Sequence, residues 1–207
     1  MYYTGIGSRE TPQSVMGVME DAAFRLARMG WVLRSGKAAG ADTAFQLGMQ
    51  RYAQSRGGYN TETARLAEIY TPWARFNGGE GTKSDWDITL PYVDMLLPDQ
   101  IDTRDAIVHE MHPAAAYMKE KKPGAYALHS RNVHQVLGMN LDQFRVSSFV
   151  LYFAEEDKKG NPKGGTATAV ALAKSHNIRT LNLLHLENME KLELFLESME
   201  KKRGLQV

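Results

Sequence analysis

An α/β fold, a parallel sheet flanked by helices and carrying a helical insertion, is predicted by three features of this 207-residue sequence. Apolar strand-like runs alternate with segments of helical periodicity, an order that needs a helical crossover at each return to the same sheet edge. Glycine-rich turns stand where three of those runs give way to helices: Gly5-Ile6-Gly7-Ser8-Arg9, Ser35-Gly36-Lys37-Ala38-Ala39-Gly40-Ala41-Asp42 and Lys163-Gly164-Gly165-Thr166-Ala167-Thr168. Between about 71 and 130 the alternation breaks down over a stretch too long for a plain connection.

Tyr2 to Ile6 reads as the first strand. Thr11-Pro12 then predicts a helix start, with a hydroxyl N-cap and proline at the first helical position. Val15, Met16, Met19, Ala22, Ala23, Leu26 and Met29 recur at three- and four-residue steps and mark the apolar face. Gly30 ends that helix, and Trp31-Val32-Leu33 is the second strand. A second helix over 41–55 is expected to turn Ala44, Phe45, Leu47 and Gly48 inward, before a third strand at Glu68-Ile69-Tyr70. The insertion holds the Asn77-Gly78-Gly79-Glu80-Gly81 turn and short helices at 103–112 and 113–120, placed to cover the crevice or to mediate dimerisation. Ser147 to Phe153 is a continuous apolar run, expected of a strand buried on both faces. A charged loop over 155–163, a helix over 166–176, a last inner strand over 179–184 and a terminal amphipathic helix over 187–203 complete the chain as one domain, 1–207.

Composition narrows the function classes. A hydrophobic fraction of 43% supports a sizeable core. Lys plus Arg number 25 against 24 acids, so overall charge gives no argument for nucleic acid. The absence of cysteine removes disulfides, thiol catalysis and thiolate zinc sites together. His109-Glu110-Met111-His112 lacks the zinc-protease spacing, and no metal or cofactor is expected. The start, Met1-Tyr2-Tyr3-Thr4-Gly5, has no signal-peptide character, and no apolar run reaches membrane-spanning length. A cytoplasmic protein is the expectation, and the apolar terminal helix and insertion point to a homo-oligomer.

In a parallel sheet all strand-to-helix turns lie on one edge, so the three glycine turns should ring one crevice with backbone N–H groups and helix N-termini. That arrangement suits a phosphate. Gly7 lets the backbone approach a ligand, Ser8 can bond a phosphate oxygen, and Arg9 can pair with it bidentately. Ser35 and Gly36 open the second turn and Lys37 adds a cation, although the spacing is not that of a Walker loop. Asp42 either caps the second helix or meets a sugar hydroxyl. Gly164 and Gly165 leave room for a phosphate, with the Thr166 and Thr168 hydroxyls complementing N–H groups at the helix start. Arg131 and Asn132, ahead of a short helical run, are expected to close over base or ribose. Trp73, Phe76 and Trp86 either stack on a base or pack internally. No catalytic residue is assigned.

Together these segments resemble the SLOG superfamily, which unites DprA (Smf)-like and LOG-like Rossmann proteins, and most nearly a stand-alone DprA-like Rossmann domain. Gly7-Ser8-Arg9 is similar to the family's first turn, Ser35 through Asp42 to the second, Arg131-Asn132 to the DprA Arg-Asn helix, and Gly164-Gly165-Thr166 to the last turn. The motifs run in family order from Tyr2 to Leu184, with no counterpart for the insertion. The resemblance implies a Rossmann-like sheet that binds a nucleotide or nucleotide-derived small molecule, as a sensor or sequestering module. It also implies two alternatives, a LOG-like phosphoribohydrolase acting on nucleoside monophosphates and DprA-like binding of single-stranded DNA. LOG enzymes place an arginine and a glutamate just after the glycine–threonine turn, whereas Thr166-Ala167-Thr168-Ala169-Val170-Ala171 contains no acid. Glu155, Glu156 or Asp157 could substitute only if their loop folds inward.

Overall fold

The computed structural model describes residues 1–73, 76, 86–89, 98–141 and 144–205. In chain order the elements are β1 (Tyr2–Gly7), α1 (Gln13–Arg28), β2 (Val32–Ser35), α2 (Ala41–Ser55), β3 (Ala67–Thr71), β4 (Asp87–Thr89), α3 (Pro98–Met111), α4 (Ala115–Lys121), α5 (Pro123–Leu137), β5 (Phe149–Phe153), α6 (Thr166–Ser175), β6 (Arg179–Asn182) and α7 (Leu186–Lys202). The strands form one all-parallel sheet in the order β4-β3-β2-β1-β5-β6, a Rossmann-like arrangement. The stretch read as an insertion therefore also supplies an edge strand, β4, in register with Ile69–Thr71. Its Asn77–Gly81 turn lies outside the described residues.

Period-two alternation divides the core into two layers. Tyr3, Leu33, Ile69 and Leu151 face α1, α2 and α7, while Ile6, Val150 and Tyr152 face α3 to α6. All five residues of β5 are buried, as its unbroken apolar run requires. Helices α1 and α2 meet closely at Gly48, where a Cβ would fall 2.0 Å from the Glu20 carbonyl oxygen. The terminal helix is pinned by Glu200, 1% exposed, which accepts from Arg25 and Arg28 at 2.7 Å each.

Three expectations need correction. Thr11 is not the cap of α1: Pro12 occupies that position, and the Thr11 hydroxyl instead donates to the Ser8 carbonyl at 2.7 Å. Leu47 points to solvent at 46% exposure, because its neighbours Phe45 and Gly48 already fill the inward face of α2. The strand β6 is an edge rather than an inner strand, since nothing in the sheet pairs beyond it.

On the α5 face, Arg34 is buried at the sheet centre. Its Nε donates to Glu68 at 2.7 Å and its Nη1 to the Arg145 carbonyl at 2.6 Å. The Tyr70 hydroxyl joins the same Glu68 oxygen at 2.7 Å, and the Tyr70 ring stacks on His134 with centroids 5.6 Å apart. His134 is fully buried, and burial pulls its pKa down to about 4. The unfolded chain titrates near the ordinary histidine value, so between these values it binds more protons than the native state. Stability from this residue is complete above about pH 6.5 and lost as pH falls toward 4, by about 3 kcal/mol in all. Urea unfolding at pH 7 and pH 4.5 should show this loss, and His134→Phe, which keeps the ring against Tyr70, should shrink it.

Candidate functional site

Strands β2, β3 and β4 are added on one side of β1, and β5 and β6 on the other. Strand order thus reverses between β1 and β5, and in open α/β sheets such a switch point leaves a crevice beyond the carboxyl ends. A cavity of about 640 Å³ opens there. The end of β1 supplies Gly7, Ser8 and Arg9, and the end of β5 supplies Phe153, Ala154 and Glu155. The start of α6 contributes Gly164, Gly165 and Thr166, and α5 lays Leu128, Arg131, Asn132 and Gln135 along one wall.

The second glycine turn both supports this crevice and lines part of it, through Ala38 and Asp42. Asp42 is 2% exposed, and its carboxylate accepts from the amides of Gly7 at 3.1 Å and Ala38 at 3.3 Å. Its Oδ2 lies 3.6 Å from Nη1 of Arg131, which also donates to the Gly36 carbonyl. Burial raises the Asp42 carboxyl and lowers the Arg131 guanidinium, and each group's charge opposes the other's shift. Asp42 is therefore not a cap of α2, which Gly40 begins without a side-chain bond. It ties the first two turns to α5. Gly36 is obligatory for the same reason, since a Cβ would sit 1.9 Å from Arg131 Nη1. Gly40, at φ 77°, admits the first turn: a Cβ there would strike the Ser8 carbonyl oxygen at 2.4 Å. Ser35 donates to the Gly5 carbonyl at 2.7 Å, and Ser35, Gly36 and Lys37 all stand outside the crevice lining.

Arg131 and Asn132 sit inside the 15-residue α5, not ahead of a short helix. Asn132 Nδ2 donates to the Gly165 carbonyl at 2.6 Å, fixing the third turn against α5. Thr168 is buried and shares a 2.7 Å hydrogen bond with His129 Nδ1, so it does not complement the helix start. Burial pulls His129 down to about 4, which leaves it neutral at pH 7. Helix α6 begins with no side-chain cap, with Gly165 and Thr166 in the lining, while the Ala167 N–H donates to the Gly164 carbonyl at 3.2 Å. Around Gly164 and Gly165 an added Cβ would meet nothing within 4 Å. Of the three glycine turns this one keeps its space open.

The lining also includes residues that sequence reading did not select: Glu10, Leu128, Gln135 and Phe153. Gln135 had a signal, because it lies four residues after Arg131 on the same helical face. Glu155 is in the lining, its side chain 78% exposed, and pairs with Lys163 at 3.4 Å. Glu156 turns instead to Asn182 and His185, and Asp157 closes its own loop on the amides of Lys159 and Asn161. Of the aromatics considered for base stacking, Phe76 is buried beneath Arg131, Trp73 is 40% exposed and meets Phe76 edge-on, and Trp86 is buried with Nε1 donating to the Thr63 carbonyl at 3.0 Å. Among the described residues no cluster of three or more His, Asp or Glu could hold a metal, and no helix is long and apolar enough to cross a membrane. No family model matches the chain, nor does any curated protein or solved structure.

Removing one member of a buried ion pair strands the other charge. Asp42→Ala should therefore lower unfolding free energy by about 3–5 kcal/mol, read as a fall in the urea midpoint. A loss below about 1 kcal/mol would show that the pair does not hold the turns together.

Proposed function

We propose that the protein binds a nucleotide or nucleotide-derived small molecule in this crevice, as a sensor or sequestering module. The observation that carries the reading is the position of the cavity: at the switch point of a parallel sheet, with an uncapped helix N-terminus opening into it beside Gly164 and Gly165. The α6 N–H groups and the rim residue Arg9 favour an anion such as phosphate. Ile6, Leu128 and Phe153 offer apolar surface for a base and sugar. The order of SLOG-like motifs implies the same ligand class.

Calorimetric titration with nucleoside mono-, di- and triphosphates should detect binding, and silence across the panel would remove the proposal. Gly165 provides a sharper test. Its backbone is helical, with φ −63° and ψ −25°, and a Cβ has open space, but it is the N-cap of α6, where alanine is less favoured than glycine, so Gly165→Ala should lower the melting temperature only slightly. The added methyl would occupy the phosphate position, and affinity should drop about tenfold or more through lost charge-assisted bonds.

A second reading, N-glycosidic hydrolysis of nucleoside monophosphates, draws on Glu10 and Glu155 in the lining. A carboxylate is what would stabilise an oxocarbenium-like centre or activate water. Incubation with nucleoside monophosphates should then release free base, and Glu155→Gln should stop it. Binding without base release would leave only the sensor.

A further inference from the structure

Asn132 lines the crevice from α5, and its two polar atoms have different fates. Its Nδ2 donates to the Gly165 carbonyl at 2.6 Å, which fixes the side chain against the start of α6. Only the nitrogen of a carboxamide can donate, so this bond also sets which way round the group sits. The other half, Oδ1, accepts no hydrogen bond among the described residues. It is not sealed from solvent either, unlike both amide atoms of Gln135 one turn further along the helix. Asn132 thus presents to the crevice an acceptor whose position is held by the same bond that holds Gly165.

Resting on the nucleotide reading above, we infer that Asn132 is a specificity-determining residue of the crevice, its Oδ1 accepting a hydrogen bond from a ribose hydroxyl, so that the site selects ribonucleotides over forms lacking the sugar hydroxyls. A lone acceptor cannot bind the phosphate, whose oxygens are themselves acceptors. Its partner must be a donor close to the anion. In a nucleotide the group bonded to the phosphate is the sugar, and the base lies beyond it. With the anion at Gly165, the residue hydrogen-bonded to Gly165 is therefore placed for the sugar. Carboxylates take ribose hydroxyls at the sheet edge of many dinucleotide-binding folds. A carboxylate this near Gly165 would repel the phosphate, whereas a neutral carboxamide accepts from the hydroxyl without that cost. The adjacent anion and hydroxyl are thus matched by adjacent groups, backbone N–H for one and Asn132 Oδ1 for the other.

The test titrates wild type and Asn132→Ala calorimetrically with AMP, GMP, CMP and UMP and with their 2′,3′-dideoxy counterparts. Wild type should bind each ribonucleotide it accepts about tenfold or more tightly than the dideoxy form. In Asn132→Ala the two forms should bind equally. Loosening of Gly165 by the lost Nδ2 bond weakens both forms alike and leaves their ratio unchanged, so the ratio isolates the hydroxyl contact. A wild-type ratio near one would overturn the inference and leave Asn132 with a structural role, its Oδ1 meeting water. A variant that keeps the wild-type preference would also overturn it, since another group then reads the sugar. Asn132→Leu, which keeps the side-chain volume, is read in the same way should alanine fail to fold. If wild type binds neither the ribo nor the dideoxy forms, the nucleotide reading falls and takes this one with it; if it binds both equally, only this one falls.

Discussion

The buried pairing of Asp42 with Arg131 is the constraint on which the crevice edge of the sheet depends. Two charges removed from water carry a penalty that their mutual attraction alone does not offset. The remainder comes from hydrogen bonds: backbone amides of Gly7 and Ala38 on the carboxylate, and the Gly36 carbonyl on the guanidinium. Those backbone groups lie at the carboxyl end of β1 and in the turn that follows β2. The pair therefore neutralises itself and, in the same contacts, satisfies the turns that leave β1 and β2. It also reaches across the sheet to α5, 89 residues further along the chain than Asp42. Asn132, the next residue, reaches in the other direction to Gly165. Two adjacent side chains on one helix thus hold all three glycine turns at fixed spacing.

That role changes what the crevice can offer a ligand. With Arg131 committed to Asp42, and Lys163 to Glu155, much of the lining charge is internally balanced. Binding of an anion then leans on the backbone of α6 and on Arg9, which stands exposed at the rim. Backbone N–H groups suit this task because they carry no rotamer freedom to lose and need no reorganisation when the ligand arrives. A polyanion would need a continuous run of unpaired cations, and the balanced composition of the chain supplies no excess of them.

Much of the architecture was legible because the signals are local. The second helix was bounded at 41 and 55 from its periodicity, and β5 was recognised as buried on both faces from an unbroken apolar run. The three turns were found by glycine and their place between elements, and in a parallel sheet that place alone puts them on one edge. What escaped was whatever depends on a distant partner. Nothing near Asp42 announces that its partner lies in α5, and Arg131 on its own reads as an ordinary ligand-clamping arginine. Likewise β4 is three residues long, too short for periodicity to reveal, and is a strand only because Ile69–Thr71 offers it an edge. Thr168 looked like a helix-start hydroxyl until His129 came within 2.7 Å of it.

The glycines separate packing from recognition more clearly than the charged residues do. At Gly36 and Gly40 the space that a side chain would fill already belongs to the protein, taken by the Arg131 guanidinium and the Ser8 backbone. Substitution at either is a matter of clash or strain, and says nothing of a ligand. Around Gly164 and Gly165 the protein leaves the space empty, and Gly165 has a backbone conformation that any residue can adopt. Gly165 is the N-cap of α6, a position that favours glycine over alanine, so one residue serves the helix start and keeps the crevice open.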